Sequence, residues 1–462
     1  MTPPHPRPYA SVLDTIGWTP LIRLGRITHG LRTPVYGKAE FFNPGGSVKD
    51  RIGTAIIEAA EREGTLRPGG VIVEGTSGNT GVGLALAAAL KGYQCIFTMP
   101  DKMSSEKVRL LRAFGAEVVI TPTAVPPDHP DNYVMKAKAI AAATPGAILA
   151  NQFYNQANPE AHYRTTGPEL WEQTEGRISH LVGGAGTGGT LSGAGRFLKE
   201  RNAGVRVVCG DPQGSIYGEY GRSGRKVEGH PYKVEGIGGD KIPDTLHYDV
   251  VDEFRTVTDR DAFQMARRLT REEGLFVGGS TGLAVCVALD IARELDDPDG
   301  CIVAILADTG ERYLSKVYND EWMRENQLLE TERITAAALL DAKENGAPPL
   351  VIVAPSATVR QALNLMGSYN ISQLPVVQDD ECLGAVNEAA LMARAVGEPG
   401  ILERPVREVM EDPYPIVDTD VPLERFSRLL SRETPAVLVR RSGKLTGIVT
   451  RYDVLHHVSG IR

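Results

Sequence analysis

From Ser11 to about Leu329, short β-branched runs alternate with alanine-rich, helix-forming stretches. "VIVEGT" (71–76) leads into "GLALAAAL", "CIFTMP" (95–100) into "SEKVRLLRAFG", and "AEVVITP", "RVVCGD" and "CIVAILAD" follow. That alternation restricts the chain to an α/β fold whose sheets are largely parallel and covered by helices on both faces. The 50 glycines cluster directly after strand-like runs. Ligand loops occupy that place in open α/β sheets.

Around Glu325 the character changes. "ENQLLETERITAAALLDAKENGAPP" reads as a polar connector with helical content, closed by Pro348 and Pro349. Beyond it lies an internal repeat. Residues 374–391 superpose on 437–455, with Gly384 opposite Gly447, and helical stretches at 357–370 and 421–433 precede them. Two copies of roughly sixty residues make a compact pair rather than a solenoid. The expected division is a catalytic region at 1–328, a linker at 329–347, and repeats at 348–400 and 401–462.

The 42% hydrophobic and 23% charged residues describe a soluble globular chain. A net charge of -8 without a basic run argues against nucleic acid or an anionic membrane as partner. The five cysteines are odd in number and include no C-x-x-C pair, so buried reduced thiols and no metal site are expected. With no apolar leader in "MTPPHPRPYA", the expected compartment is the cytoplasm. The longest apolar run, Leu84 to Leu90, is too short to span a bilayer.

Four segments carry chemistry. In "NPGGSVKDR" (43–51) a glycine turn presents Lys49 near a helix start. An electropositive or dry setting turns a lysine into a Schiff-base former. Alone, Lys49 reads first as a surface lysine after a turn. In "EGTSGNTGVGLALAAAL" (74–90), Thr76, Ser77 and Thr80 converge with backbone amides at a helix start, where a carboxylate fits. The same residues also suit a plain helix cap. In "LVGGAGTGGTLSGAGRFLKE" (181–200), glycines from Gly183 to Gly189 let amides approach a phosphate. No Lys-Ser/Thr ending marks a nucleoside-triphosphate loop there. In "GLFVGGSTGLAVCVAL" (274–289), Ser280 stands before a helix. One lysine, one carboxylate cradle and one phosphate cradle suit pyridoxal phosphate, which stabilises carbanions at an amino acid's Cα.

In order, "GGSVKDR", "TSGNTGVGLA", "PDKMSSEKVRLLRAFGAEVV", "NPEAHYRTTGPE", "GTGGT", "VEGIGGDKIP" and "GGSTG" resemble the β-family of pyridoxal-phosphate enzymes. The likeness is nearest to the cystathionine β-synthase branch and runs from about Asp14 to Met323. It implies two α/β subdomains clasping the cofactor. It implies Lys49 as cofactor anchor and Cα base, and Asn79 as partner of the ring's phenolic oxygen. Thr76, Ser77, Thr80 and Gln152 become the clamp on the substrate carboxylate. Gly186, Thr187, Gly188, Gly189 and Thr190 become the phosphate loop, and Ser280 the neutral partner of the pyridine nitrogen. The implied reaction is β-replacement on serine by homocysteine, giving cystathionine, in a homodimer or higher homo-oligomer.

Some segments depart from that pattern. Only about a dozen residues precede the homology, so no haem is expected, and His5 alone does not supply a site. Gly236 and Gly239 of "VEGIGGD" fall near the second substrate, Gly239 where animal enzymes carry a tyrosine. "DTGERYLS" (308–315) resembles the cysteine synthases, which use O-acetylserine and sulfide, whereas "KMSSEK" and "YNDEWM" resemble the cystathionine branch. The repeats resemble tandem CBS domains, which bind adenosyl ligands. "GIVTRYD" implies Thr450 and Asp453 as contacts of S-adenosylmethionine or an adenine nucleotide, while the first repeat has Asn387 and Ala390 instead. An adenosyl-sensing scaffold with an inactive enzyme half is the remaining alternative, opposed by the intact Lys49 and Asn79.

Overall fold

The β-branched runs fold as strands and the alanine-rich runs as helices packed on them. This computed structural model describes residues 8–459 apart from 77, 102, 104, 127, 330–333, 344–347 and 432. The chain divides into two units, Met1–Leu329 and Glu330–Arg462.

In the first unit, β1 (Leu21–Arg23) and β2 (Val35–Ala39) pair antiparallel. Helix α1 (Lys49–Arg62) then carries the chain away to build a second sheet. That part runs β3 (Val71–Gly75), α2 (Asn79–Lys91), β4 (Gln94–Pro100) and α3 (Ser105–Ala113). It ends with β5 (Glu117–Thr121), α4 (Tyr133–Ala143) and β6 (Ala147–Leu149). Its strands lie in the order β5-β4-β3-β6, all parallel.

Helices α5 (Ala157–Arg164) and α6 (Thr166–Gln173) return the chain to the first sheet. There follow β7 (His180–Gly184), α7 (Gly189–Arg201), β8 (Arg206–Pro212) and α8 (Tyr217–Ser223). Next come β9 (Glu253–Val257), α9 (Asp259–Arg268), α10 (Gly279–Leu295), β10 (Ile302–Leu306) and α11 (Asp320–Glu325). The finished sheet has the order β1-β2-β10-β7-β8-β9, parallel from β2 onward.

Neighbouring residues of each central strand serve opposite faces. Val182, Val208 and Ala304 pack with Leu283 and Ala288 of α10, while Leu181, Val207 and Val303 pack with Leu191 and Leu198 of α7. A sheet buried on both faces needs the continuous apolar runs seen in the sequence. In the smaller sheet, Ile72, Phe97 and Met99 bury against Ile52, Ile56 and Ile57 of α1 and Leu84 of α2.

A buried ion network ties β2, α1 and α6. Lys38 donates to Glu169 at 2.6 Å. Arg51 binds Glu40 at 2.7 and 2.8 Å and Glu169 at 2.6 and 2.7 Å. Burial pushes the Glu40 carboxyl upward, but the Arg51 guanidinium outweighs it and holds the group at about 2.

The second unit opens with α12 (Ala336–Asp341). Its first repeat is α13 (Val359–Tyr369), β11 (Gln373–Gln378), β12 (Glu381–Asn387) and α14 (Glu388–Gly397). The second is β13 (Ile416–Asp418), α15 (Leu423–Phe426), β14 (Ala436–Arg441), β15 (Lys444–Thr450) and α16 (Arg451–Ser459). Both hairpins are antiparallel and carry a register shift at the same place, after the pairs Val376↔Gly384 and Val439↔Gly447. The helix expected over 421–433 is shorter. Only Leu423–Phe426 is α-helical, with a tight turn at Ser427–Leu429. Ser431 Oγ accepts the backbone N–H groups of Glu433 and Thr434, a local alternative to helical bonding, and Pro435 follows. Among the described residues no helix is long and apolar enough to cross a membrane.

Candidate active site

A cavity of about 560 Å³ opens where strand ends of both sheets face each other, between Gly75 and Pro100 on one side and Gly183, Gly184 and Ile305 on the other. Helices α1 and α2 both start on its wall, with Lys49 and Asn79 as their first residues. They cross with backbones touching: a Cβ on Gly53 would lie 2.3 Å from Gly83 C, and one on Gly83 2.4 Å from Lys49 O. Burial lowers the Lys49 ammonium from its usual value, and Asp308 and Glu40 pull it the other way. Of the settings the sequence suggested, an electropositive helix start or a dry pocket, the dry one is met here.

Asn79 is held from two sides. Its amide nitrogen donates to Asp308 Oδ2 at 2.7 Å, and its oxygen accepts from Arg312. Asp308 Oδ2 also accepts from the Tyr313 hydroxyl at 2.6 Å, while Asp308 Oδ1 is buried without a hydrogen-bond partner. Arg312 further donates to Gly45 O, in the turn before Lys49.

Thr76, Thr80 and Gln152 line the same cavity. Thr80 donates to Gln152 Oε1 at 2.6 Å, and Thr76 Oγ accepts the Gly78 N–H at 3.3 Å. Ser77 lies outside the described residues. Gln152 follows Asn151, whose φ of +54° is left-handed. That turn rests on Glu74, whose carboxyl accepts the Asn151 N–H at 2.7 Å and the Gln152 N–H at 3.4 Å. Burial pushes the Glu74 carboxyl up to about 7.

Gly186, Thr187, Gly188 and Thr190 also line the cavity, at the start of α7. Gly188 has φ +80°, and a Cβ on Gly186 would lie 2.2 Å from Gly236 O, so the loop admits no side chain at these two positions. Gly189 does not line the cavity; its Cα faces Asn158, 2.0 Å from where a Cβ would stand. Asn158 donates to Thr187 Oγ at 2.9 Å, and His162 Nε2 meets Thr190 Oγ at 3.2 Å. Burial lowers His162 to about 3, so it is neutral at ordinary pH. Two hydroxyls and a helix start on one glycine-rich loop suit a phosphate. With an activated lysine across the cavity, the donor set fits pyridoxal phosphate.

Ser280, second residue of α10, and Gly236 line the cavity. Gly239 does not. Its N–H donates to Ser215 Oγ at 3.1 Å, and a Cβ there would lie 2.4 Å from the Tyr217 hydroxyl. Lys107, Glu235, Asp308, Tyr313 and Lys316 line the cavity without having been singled out. Lys107 and Glu235 fall in segments that carried the resemblance, and Asp308, Tyr313 and Lys316 in or beside 308–315, so their places were readable while their pairing was not. In the second unit, Asp453 Oδ2 accepts the Thr450 N–H and hydroxyl at 2.6 and 2.8 Å and pairs with Lys343 at 2.8 Å. Asn387 instead caps α14, accepting the Ala390 N–H at 3.2 Å.

Comparison with known proteins agrees with this geometry. The pyridoxal-phosphate dependent enzyme family matches residues 12–308, and the CBS domain matches residues 347–397 and 406–460. Cystathionine beta-synthase of Oryctolagus cuniculus is 39% identical, covering 98% of this chain and 86% of that protein. The solved O-acetylserine dependent cystathionine beta-synthase from Helicobacter pylori is 35% identical with a TM-score of 0.62, covering 68% of this chain and 100% of that one. A hydrogen sulfide-producing enzyme from Fusobacterium nucleatum is 36% identical with a TM-score of 0.63, over 68% and 100% respectively. The match over residues 12–308, the paired CBS domains and the 39% identity over 98% of the chain place this chain in the cystathionine β-synthase family of pyridoxal-phosphate-dependent enzymes.

Proposed function

We propose that this enzyme joins L-serine and L-homocysteine by β-replacement to give L-cystathionine. The observation that carries the reading is the meeting of Lys49, Asn79, the Thr76–Thr80–Gln152 group and the Gly186–Thr190 loop on one cavity. Bound pyridoxal phosphate supplies the electron sink for charge developing at the substrate Cα. Gly186, Thr187, Gly188 and Thr190 would hold its phosphate, Asn79 would orient its ring, and Ser280 would meet its pyridine nitrogen with a neutral hydroxyl. Thr76, Ser77, Thr80 and Gln152 bind the substrate carboxylate. Lys49 would anchor the cofactor and, once free, take the Cα proton on Nζ, burial shifting it in the direction of its uncharged form. No haem takes part in this reading. Residues 329–347 act as the linker, with repeats at 348–400 and 401–462. Thr450 and Asp453 take an adenosyl ligand, for which the ribose must compete with Lys343 for the Asp453 carboxylate. The compartment is the cytoplasm, consistent with five free cysteines, and the assembly a homodimer or larger.

A second reading is cysteine synthesis from O-acetylserine and sulfide; the Helicobacter pylori neighbour, named for its O-acetylserine dependence, favours that first substrate. Purified protein is expected to be yellow and Lys49→Ala to lose both colour and turnover. Assays of serine plus homocysteine against O-acetylserine plus sulfide decide between the readings. A much higher kcat/KM for the sulfide reaction overturns the first. Colourless wild-type protein that takes up no pyridoxal phosphate overturns both.

A further inference from the structure

We propose that Lys107, Lys316 and Glu235 form the seat of the second substrate and select a thiol that is itself an amino acid. This rests on the β-replacement reading above. The three side chains come from separate segments: Lys107 from α3 beside the smaller sheet, Glu235 from the loop between α8 and β9, Lys316 from the turn after Tyr313. All three line the cavity that holds Lys49. Glu235 spreads its two oxygens between the two ammoniums, Oε2 to Lys107 at 2.7 Å and Oε1 to Lys316.

Their side chains are 15%, 25% and 41% exposed for Lys107, Glu235 and Lys316, which puts them at the wet edge of the cavity. Lys316, the most exposed of the three, is the partner that exchanges contacts most readily. The cluster carries two positive charges and one negative. An amino acid carries a carboxylate and an ammonium, so it can replace one ion contact with another at each end. Its carboxylate bridges the lysines as the Glu235 carboxylate now does, and its ammonium turns to Glu235. Tyr313, Tyr232, Met103 and Trp322 give the same cavity apolar wall for intervening methylenes. The Lys107 ammonium lies 5.8 Å from the Tyr313 ring centroid, which fixes its direction. Hydrogen sulfide has neither end and gains nothing from the seat.

The test uses the full-length, cofactor-loaded enzyme with saturating serine. The thiols are homocysteine, sulfide, and 3-aminopropanethiol, which is homocysteine without its carboxylate. Lys316→Met and, independently on another element, Lys107→Met are expected to raise KM for homocysteine about tenfold or more, with kcat/KM for sulfide changing less than about twofold. Wild type is expected to prefer homocysteine over 3-aminopropanethiol, and each Met variant to lose most of that preference. Lys316→Arg, which keeps the charge, is expected to keep it. Equal losses for homocysteine and sulfide, or Met variants that still discriminate against 3-aminopropanethiol, overturn the proposal. The serine-induced change in the cofactor spectrum is read before any thiol is added. Its absence in wild type, with O-acetylserine also silent, defeats the underlying reading instead and takes the seat down with it.

Discussion

Glu74 illustrates how a single buried group sets a pH dependence. It is 4% exposed, it holds the Asn151–Gln152 turn, and its folded-state pKa is raised from 4.5 to about 7. Between those values the native state keeps a proton that the unfolded chain releases, so stability falls as pH climbs through the window and is fully present only below it. A shift of that size corresponds to roughly 3 kcal/mol. Glu74→Gln keeps an acceptor for the turn and cannot ionise. Its melting temperature is expected to decline less than wild type's between about pH 5 and about pH 8 in calorimetry. Parallel curves for the two proteins refute the burial argument. Lys49 and Asn79 were legible in the sequence because their neighbours along the chain form the cradle. Glu74 and Asp308 were not, because their partners lie 77 and 229 residues away.

At the scale of elements, the crossing of α1 and α2 sets the distance between Lys49 and Asn79. Gly83→Ala places a methyl carbon 2.4 Å from the Lys49 carbonyl, which no rotamer relieves. The helices must part, at a cost of about 1–3 kcal/mol. Weaker cofactor uptake is expected alongside a lower melting temperature, measured by absorbance titration and thermal unfolding. Unchanged affinity in a destabilised variant would separate the crossing from the site. Arg51→Met tests the neighbouring network: it strands the buried Glu40 carboxylate, leaves Glu169 with Lys38 alone, and is expected to destabilise by about 3–5 kcal/mol in urea unfolding. Most elements were readable, since apolar runs of strand length alternate with helix-length alanine runs. The Gly53–Gly83 contact was not, because a helical glycine carries no sign of what it faces. The helix expected at 421–433 failed for a related reason: the pattern counts apolar positions and misses the Ser431 turn that competes for the backbone.

At the scale of the molecule, the buried apolar clusters among the described residues fall into two sets, three within residues 24–328 and three within 336–449. Each unit therefore has its own core and is expected to unfold in its own calorimetric transition, with only the first shifted by pyridoxal phosphate. A chain ended at Leu329 that fails to fold would contradict this. The topology also sets a timetable. β2 is made early, yet its parallel neighbour β10 begins 267 residues later, from Val35 to Ile302. At ribosomal speeds of about 5–20 residues per second, the β1–β2 hairpin waits roughly 15–50 seconds with one edge unpaired. The smaller sheet, made entirely within that interval, can fold while the larger one is still being written. The β2 edge thus waits longest for its partner among the described strand pairings, and it is the edge a chaperone would have to shield during synthesis.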